Sequence, residues 1–118
     1  MTSSAEPKTA AACILVRGDG EPKVLLAKRN PALRFMGGHH VFPGGRIKQD
    51  ESVRRVANAT NEVVARAIQA ATREVFEETG LLCVRGALPP REQLQQARRD
   101  LLKESATFND LLAQQLSR

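Results

Sequence analysis

The chain has 118 residues, the size of one small domain, and it contains no apolar stretch long enough to cross a bilayer. Lysine and arginine together number 18 against 13 acidic residues, so the formal net charge is +5 at pH 7. These charges are scattered and form no basic stripe, which argues against nucleic acid as the main target. A basic surface still favours anionic partners, and small phosphorylated molecules fit it equally well.

The N-terminal half alternates strand-like segments with turns. Residues 1–8 are small and polar and predict a disordered tail, so the folded domain is expected over residues 9–118. Three segments are strand-like, and the first two predict a hairpin. The three are residues 9–17, 23–29 and 39–42.

The most informative stretch is residues 73–81, which reads Arg-Glu-Val-Phe-Glu-Glu-Thr-Gly-Leu. It predicts the end of a helix that begins near Asn61 and stops at Gly80, because glycine tolerates a left-handed conformation. Its three glutamates stand at i, i+3 and i+4 and therefore share one face. They are Glu74, Glu77 and Glu78. A second stripe at helical spacing predicts the core side of the helix. It consists of Val64, Ile68, Ala71 and Val75.

Glutamates in the last turn of a helix are unfavourable, because the helix dipole opposes negative charge there by about 0.3–1 kcal/mol each. Their mutual repulsion adds about 1 kcal/mol per pair in water. A bound divalent cation would offset both costs, and ligation by oxygen alone suits Mg²⁺ or Mn²⁺. The sequence therefore predicts a metal site at this end of the helix, with a solvated acidic face as the alternative.

A second pattern precedes the helix, where Glu51 follows Gly45 by six residues. Together the two patterns resemble the signature of the Nudix hydrolases, and every fixed position of that signature is filled. The positions are Gly45, Glu51, Arg73, Glu74, Val75, Glu77, Glu78, Gly80 and Leu81. The one departure is that 21 residues, instead of the family's seven, separate Glu51 from Arg73. An insertion of 14 residues, around residues 52–66, therefore interrupts the signature.

The resemblance implies an α/β fold, an α/β/α sandwich with a mixed β-sheet. It also implies a metal-dependent enzyme that hydrolyses a diphosphate linked to another moiety. Matching position by position, it assigns metal ligation to four glutamates and one backbone carbonyl. These are Glu51, Glu74, Glu77, Glu78 and the carbonyl of Gly44. It assigns catalytic roles to Glu74 and Glu77, with Arg73 orienting the glutamates, and it leaves open which glutamate is the general base.

The substrate is inferred from the segments around Arg29 and Arg34, which resemble the coenzyme A diphosphatase branch of the family. The predicted contacts for phosphate are Arg29, Arg34 and Arg46, although solvated loop charges are an equal alternative for the first two. Three hypotheses follow. In the first, the enzyme hydrolyses coenzyme A or an acyl-coenzyme A. In the second, it hydrolyses a nucleoside diphosphate derivative such as ADP-ribose or a dinucleotide. In the third, the chain is a catalytically silent binding module.

The C-terminal part predicts one more strand and two helices. The strand is expected at residues 81–85, and a helix at residues 91–103. Its apolar face is expected to carry Leu94, Ala97, Leu101 and Leu102. Thr107 and Asp110 predict a capping arrangement for the last helix. Four strands are fewer than the resemblance implies, so the sequence predicts the N-terminal portion of a longer domain, with a compact minimal domain as the alternative. An unpaired sheet edge could then mediate homo-oligomerisation.

The two cysteines, Cys13 and Cys83, are too few for a disulfide framework and have no metal-ligand spacing. They are expected to be buried free thiols in a reducing compartment. No signal peptide is recognisable, and the C-terminal Leu-Ser-Arg is not a peroxisomal targeting signal, so a cytoplasmic location is expected.

Overall fold

Short strands make up the N-terminal half of the computed structural model, and helices make up the C-terminal half. The structure describes residues 9–18, 20–34, 37–48, 56 and 59–116. The strands are β1 (Ala10–Ala12), β2 (Val16–Arg17), β3 (Lys23–Val24), β4 (Ala27–Lys28), β5 (His40–Val41) and β6 (Gly44–Arg46). The helices are α1 (Glu62–Thr79), α2 (Arg91–Leu102) and α3 (Phe108–Leu116). The predicted tail, Glu51 and part of the predicted insertion lie outside the described residues.

The strands form three antiparallel pairs, β1 with β6, β2 with β3 and β4 with β5. The predicted hairpin is confirmed, with Val16 opposite Val24 and Arg17 opposite Lys23. Each of the first two predicted strands is divided, because its two halves pair with different partners. The first half of residues 9–17 pairs with β6, and the second half pairs with β3.

The mixed sheet that the family resemblance implies is not found among the described residues, where every pair is antiparallel. A short connection joins β2 to β3, which suits antiparallel pairing, whereas a parallel pair requires a longer crossover. The strand predicted at residues 39–42 is shorter in the structure, where it is β5 (His40–Val41), and a further strand follows it. The chain pairs again at Gly44–Arg46, after Pro43, whose carbonyl accepts a hydrogen bond from the Cys13 N–H at 2.8 Å.

Residues 81–85 were predicted as a strand, but they form no ladder in the structure. Cys83, in this segment, is exposed, and Cys13 is only half-buried, so the expectation of two buried thiols is wrong.

The boundaries predicted for α1 are confirmed. The Asn61 side chain accepts a hydrogen bond from the Val64 N–H at 2.9 Å, which begins the helix. Gly80 ends it with φ 81°, and its N–H donates to the Phe76 carbonyl at 2.9 Å. The end that carries the three glutamates therefore has a defined stop.

The predicted core stripe of α1 is confirmed only in part. Val75 is fully buried, but Val64, Ile68 and Ala71 are only half-buried. The buried residues are Ala65, Gln69, Ala70, Arg73, Val75 and Phe76. The reason is that α1 contacts β1 and β6 as well as α2, so its buried surface is wider than a single stripe.

The helices α2 and α3 complete the core against α1. The core cluster consists of Phe76, Ala97, Leu101, Phe108 and Leu111. The predicted capping arrangement is confirmed, because the Asp110 N–H donates to Thr107 Oγ1 at 3.1 Å and the Thr107 N–H donates to Asp110 Oδ2 at 3.2 Å. Of the four residues expected on the apolar face of α2, Ala97 and Leu101 are buried, Leu94 is half-buried, and Leu102 is exposed at the last position of the helix. In the described part of the chain, no helix combines the length and apolarity needed to cross a membrane.

Candidate metal and diphosphate site

Arg73 lies buried beneath the last turns of α1, with its side chain only 3% exposed. Its Nη1 donates to Glu74 Oε1 at 3.0 Å and to Glu77 Oε2 at 3.1 Å. Its Nη2 donates to the backbone carbonyl of Arg46, in β6, at 3.1 Å. One guanidinium group therefore connects two carboxylates of α1 to the neighbouring strand and offsets part of their charge.

The carboxyl group of Glu74 lies directly against Gly45 of β6. A Cβ atom at Gly45 would lie 2.9 Å from Glu74 Oε2 and would approach Cδ and Oε1 still more closely. Only glycine leaves room for this carboxyl group, so the close approach explains the glycine at this position. The two halves of the sequence pattern thus meet in space.

Glu74 and Glu78 form a pair of acids with raised pKa values. Burial raises the pKa of Glu74, the Arg73 guanidinium opposes this, and the Glu77 carboxylate adds to the rise. Partial burial likewise raises the pKa of Glu78, and the charge of Glu74 raises it further. The two carboxyl groups are within hydrogen-bonding reach of each other. Bringing them together without a cation is therefore unfavourable at neutral pH.

The donor atoms at this end of α1 are all oxygen, which fits a hard divalent cation such as Mg²⁺ or Mn²⁺. Glu74 and Glu78 are the two residues whose neighbouring carboxyl groups could bind the same cation, and Arg73 contacts Glu74 as well as Glu77. Within the described ranges, no group of three or more metal-ligating side chains is assembled. Glu51, the further predicted ligand, lies outside them.

Gly44 faces Glu78 on one side and β1 on the other. A backbone hydrogen bond from Gly44 lowers the pKa of Glu78, against the larger effect of burial. A Cβ atom here would lie 2.8 Å from the Cα of Ala12 and would meet the carbonyl of Ala11. The ligation of a metal by the Gly44 carbonyl stays a prediction.

A cleft of about 540 Å³ opens beside Glu78 and is large enough for a small-molecule ligand. Most of its lining is small or aliphatic, contributed by β1, β4 and the chain around β5 and β6. Lys28 and Arg29 bring positive charge to the same cleft. Of the three predicted phosphate contacts, Arg29 therefore lines the cleft. Arg34 is exposed and does not line the cleft. Arg46 is also exposed and does not line the cleft, and its backbone carbonyl accepts a hydrogen bond from Arg73.

Two residues near the site were not singled out from the sequence. Lys28 lines the cleft beside Arg29, although alternation along an ideal strand would place them on opposite faces. Arg98, on α2, donates from Nε to the Glu77 carbonyl at 3.0 Å. This contact spans 21 residues, so no local sequence signal could have indicated it.

Comparison with known proteins supports the same fold. No model of a protein family matches the sequence, and no curated protein matches it. A structural match is the crystal structure of a NUDIX hydrolase from Alicyclobacillus acidocaldarius, with a TM-score of 0.64 and 20% sequence identity. The match covers 92% of this chain and 57% of that chain. The chain therefore has a fold shared with part of a NUDIX hydrolase, an α/β fold in which the glutamate-rich helix packs on antiparallel strands.

The two adjacent glycines of β6 give a prediction that separates structure from function. Gly45→Ala is expected to displace the flexible carboxyl end of Glu74 at little cost in stability, and to weaken Mn²⁺ binding by about tenfold. Gly44→Ala is expected to lower the free energy of unfolding, because its Cβ would meet the backbone of β1. Urea unfolding and calorimetric Mn²⁺ titration of both variants check this. Unchanged Mn²⁺ binding in Gly45→Ala would contradict the role given to the Glu74 carboxyl group.

The raised pKa of Glu78 gives a prediction for stability without metal. Because the folded-state pKa is above the unfolded one, the favourable contribution of Glu78 is present at low pH and is lost as pH rises through the folded pKa. In the presence of a chelator, Glu78→Gln is therefore expected to be more stable than the wild type at neutral pH. That difference should shrink as pH falls toward about 4. Denaturant unfolding across this range measures it, and parallel pH profiles of the two proteins would contradict the assigned pKa shift.

Proposed function

We propose that the chain belongs to the Nudix hydrolases and hydrolyses a diphosphate linkage in a small molecule, with Mg²⁺ or Mn²⁺ as cofactor. The observation that carries the proposal is the arrangement at the end of α1. There, the Glu74 carboxyl group lies against Gly45, within reach of Glu78 and above the buried Arg73. This arrangement supports the proposal because Glu74, Glu78 and Arg73 of the predicted signature lie close together.

The proposed roles follow from the charges involved. A bound divalent cation would neutralise the diphosphate, which otherwise repels a nucleophile, and would lower the pKa of a bound water. Glu74 and Glu78 would hold the cation, and Glu51, Glu77 and the Gly44 carbonyl are further proposed ligands. Arg73 keeps Glu74 and Glu77 oriented through its two hydrogen bonds. Glu74 and Glu77 are the candidates for accepting a proton from the attacking water.

Coenzyme A or an acyl-coenzyme A is the proposed substrate. The cleft supports this proposal because small and aliphatic side chains dominate its lining and suit an aliphatic arm. Phe42 is the one aromatic residue among the lining residues described, which offers little surface for stacking a nucleobase. Lys28 and Arg29 are placed to attract phosphate groups. A nucleoside diphosphate derivative such as ADP-ribose is the second candidate.

The experiment is a substrate panel with Mg²⁺ or Mn²⁺, in which coenzyme A, ADP-ribose and a dinucleotide are compared. Release of 3′,5′-ADP and 4′-phosphopantetheine from coenzyme A is the expected result. Cleavage of ADP-ribose or the dinucleotide alone would establish the second candidate. A folded protein that cleaves no diphosphate in the presence of either metal would leave the binding module as the remaining hypothesis.

Two further expectations stay predictions, the cytoplasmic location and association of two copies through an exposed sheet edge. The second is supported by four exposed aliphatic side chains on the β2–β3 hairpin. They are Ile14, Val16, Val24 and Leu26. Val16 and Val24 are directly opposite each other, and the other two lie two residues along their segments, so the four share one face.

A further inference from the structure

Arg98, on α2, lies along the end of α1. Its Nε donates to the backbone carbonyl of Glu77 at 3.0 Å, in a partly buried position. A Cβ atom at Gly80 would lie 3.7 Å from Arg98 Cδ, so the aliphatic part of the arginine passes beside the residue that ends α1. The guanidinium group thus sits at the carbonyl end of the helix that carries the three glutamates.

This contact satisfies a group that the helix itself cannot satisfy. The last four carbonyls of a helix have no N–H partner within it. The Phe76 carbonyl accepts from the Gly80 N–H, and the Glu77 carbonyl accepts from Arg98. The last turn of α1 contains no basic residue of its own, although the negative end of the helix dipole favours a cation there. Arg98 supplies that cation from a different helix.

We propose that Arg98 is a positioning residue for the candidate metal site. By anchoring the Glu77 carbonyl, it keeps the last turn of α1 helical up to Gly80. It thereby keeps Glu77 and Glu78 on the same face as Glu74. The inference rests on the proposed function, because it concerns the glutamates as metal ligands.

The charge of Arg98 and its anchoring role predict opposite effects on metal binding. A nearby positive charge repels a cation, so charge alone predicts that Arg98→Gln binds Mn²⁺ more tightly than the wild type. The anchoring role predicts weaker binding, by about tenfold, which is typical when a group that orients metal ligands is lost. The sign of the change therefore distinguishes the two effects.

Arg99 provides a matched control on the same helix. It is exposed, and its Nη2 donates to Gln96 Oε1 at 2.8 Å, within α2 itself. Arg99→Gln removes the same charge as Arg98→Gln without removing a contact to α1. Arg98→Lys is a second test, because lysine keeps the charge but lacks the planar Nε donor.

The experiment is a calorimetric titration of Mn²⁺ into the wild type and the three variants, at a temperature where circular dichroism shows each to be folded. Amide hydrogen exchange at the end of α1 is measured on the metal-free proteins. Arg98→Gln is expected to bind Mn²⁺ about tenfold more weakly and to exchange the Gly80 amide faster, while Arg99→Gln matches the wild type or binds slightly more tightly.

Equal shifts in Arg98→Gln and Arg99→Gln, or tighter binding by Arg98→Gln, would overturn the inference while the proposed function stands. Should Arg98→Gln fail to fold, Arg98→Lys decides. Weaker Mn²⁺ binding than the wild type supports the anchor, and equal binding overturns it. A wild-type protein that binds no Mn²⁺ overturns the proposed function, and the inference with it.

Discussion

Glu78→Gln is expected to lower kcat/KM for diphosphate hydrolysis by about a thousandfold, equivalent to about 4 kcal/mol of transition-state stabilisation. The substitution removes one negative charge and one ligand oxygen from the Glu74–Glu78 pair while keeping the size of the side chain. Glu78 also lines the cleft, so the effect arises where the substrate is proposed to bind. The same variant is expected to be more stable than the wild type without metal, which separates loss of activity from loss of folding.

Glu62→Gln is the matched control for this experiment. Glu62 lies at the opposite end of α1, where its exposed carboxylate pairs with Arg66 at 3.0 Å. Removing its charge is expected to leave kcat/KM within about twofold of the wild type. Steady-state kinetics at saturating Mn²⁺ measure both variants. Equal activity of Glu78→Gln and Glu62→Gln would contradict the assignment of Glu78 to the site.

Arg73→Gln is expected to lower the free energy of unfolding by about 3 kcal/mol in the metal-free protein at neutral pH. The substitution leaves Glu74 and Glu77 without the guanidinium that contacts both, and it breaks the link to the Arg46 carbonyl. Both carboxylates are mostly buried, at 17% and 19% side-chain exposure, so solvent screens their repulsion incompletely. Urea unfolding with a chelator present measures the change.

The first turn of α1 supplies the control for Arg73→Gln. Arg66 forms an arginine–glutamate pair with Glu62 at the same sequence spacing, but the glutamate of that pair is 76% exposed. Arg66→Gln is expected to cost about 0.5 kcal/mol or less, since exposed ion pairs contribute little. If the two substitutions destabilise the protein equally, the account of Arg73 as a buried connector is wrong.

The elements that sequence patterns predicted well are those specified by local physics. The start of α1 at Asn61 and its end at Gly80 depend on contacts within four residues. The reciprocal hydrogen bonds of Thr107 and Asp110 span three residues. Short-range capping interactions are encoded in the residues that make them, so a single sequence is enough to recognise them.

The features that the sequence did not predict depend on distant parts of the chain. Which strand pairs with which, and the break in residues 9–17, follow from β6, which lies far along the chain. The core side of α1 is set by strands on one side and α2 on the other, so a single stripe of apolar residues underestimates it. The contact of Arg98 with Glu77 likewise becomes visible only when α2 is placed against α1.

Calorimetric titration of Mn²⁺ into the folded wild-type protein and into a Glu74→Gln, Glu78→Gln double variant tests the central claim most directly. If the two carboxyl groups are brought together to hold a divalent cation, the wild type will bind Mn²⁺ with a Kd of about 1 mM or below, and the double variant will not. Absence of binding to the wild type, or equal binding to both proteins, would contradict the account.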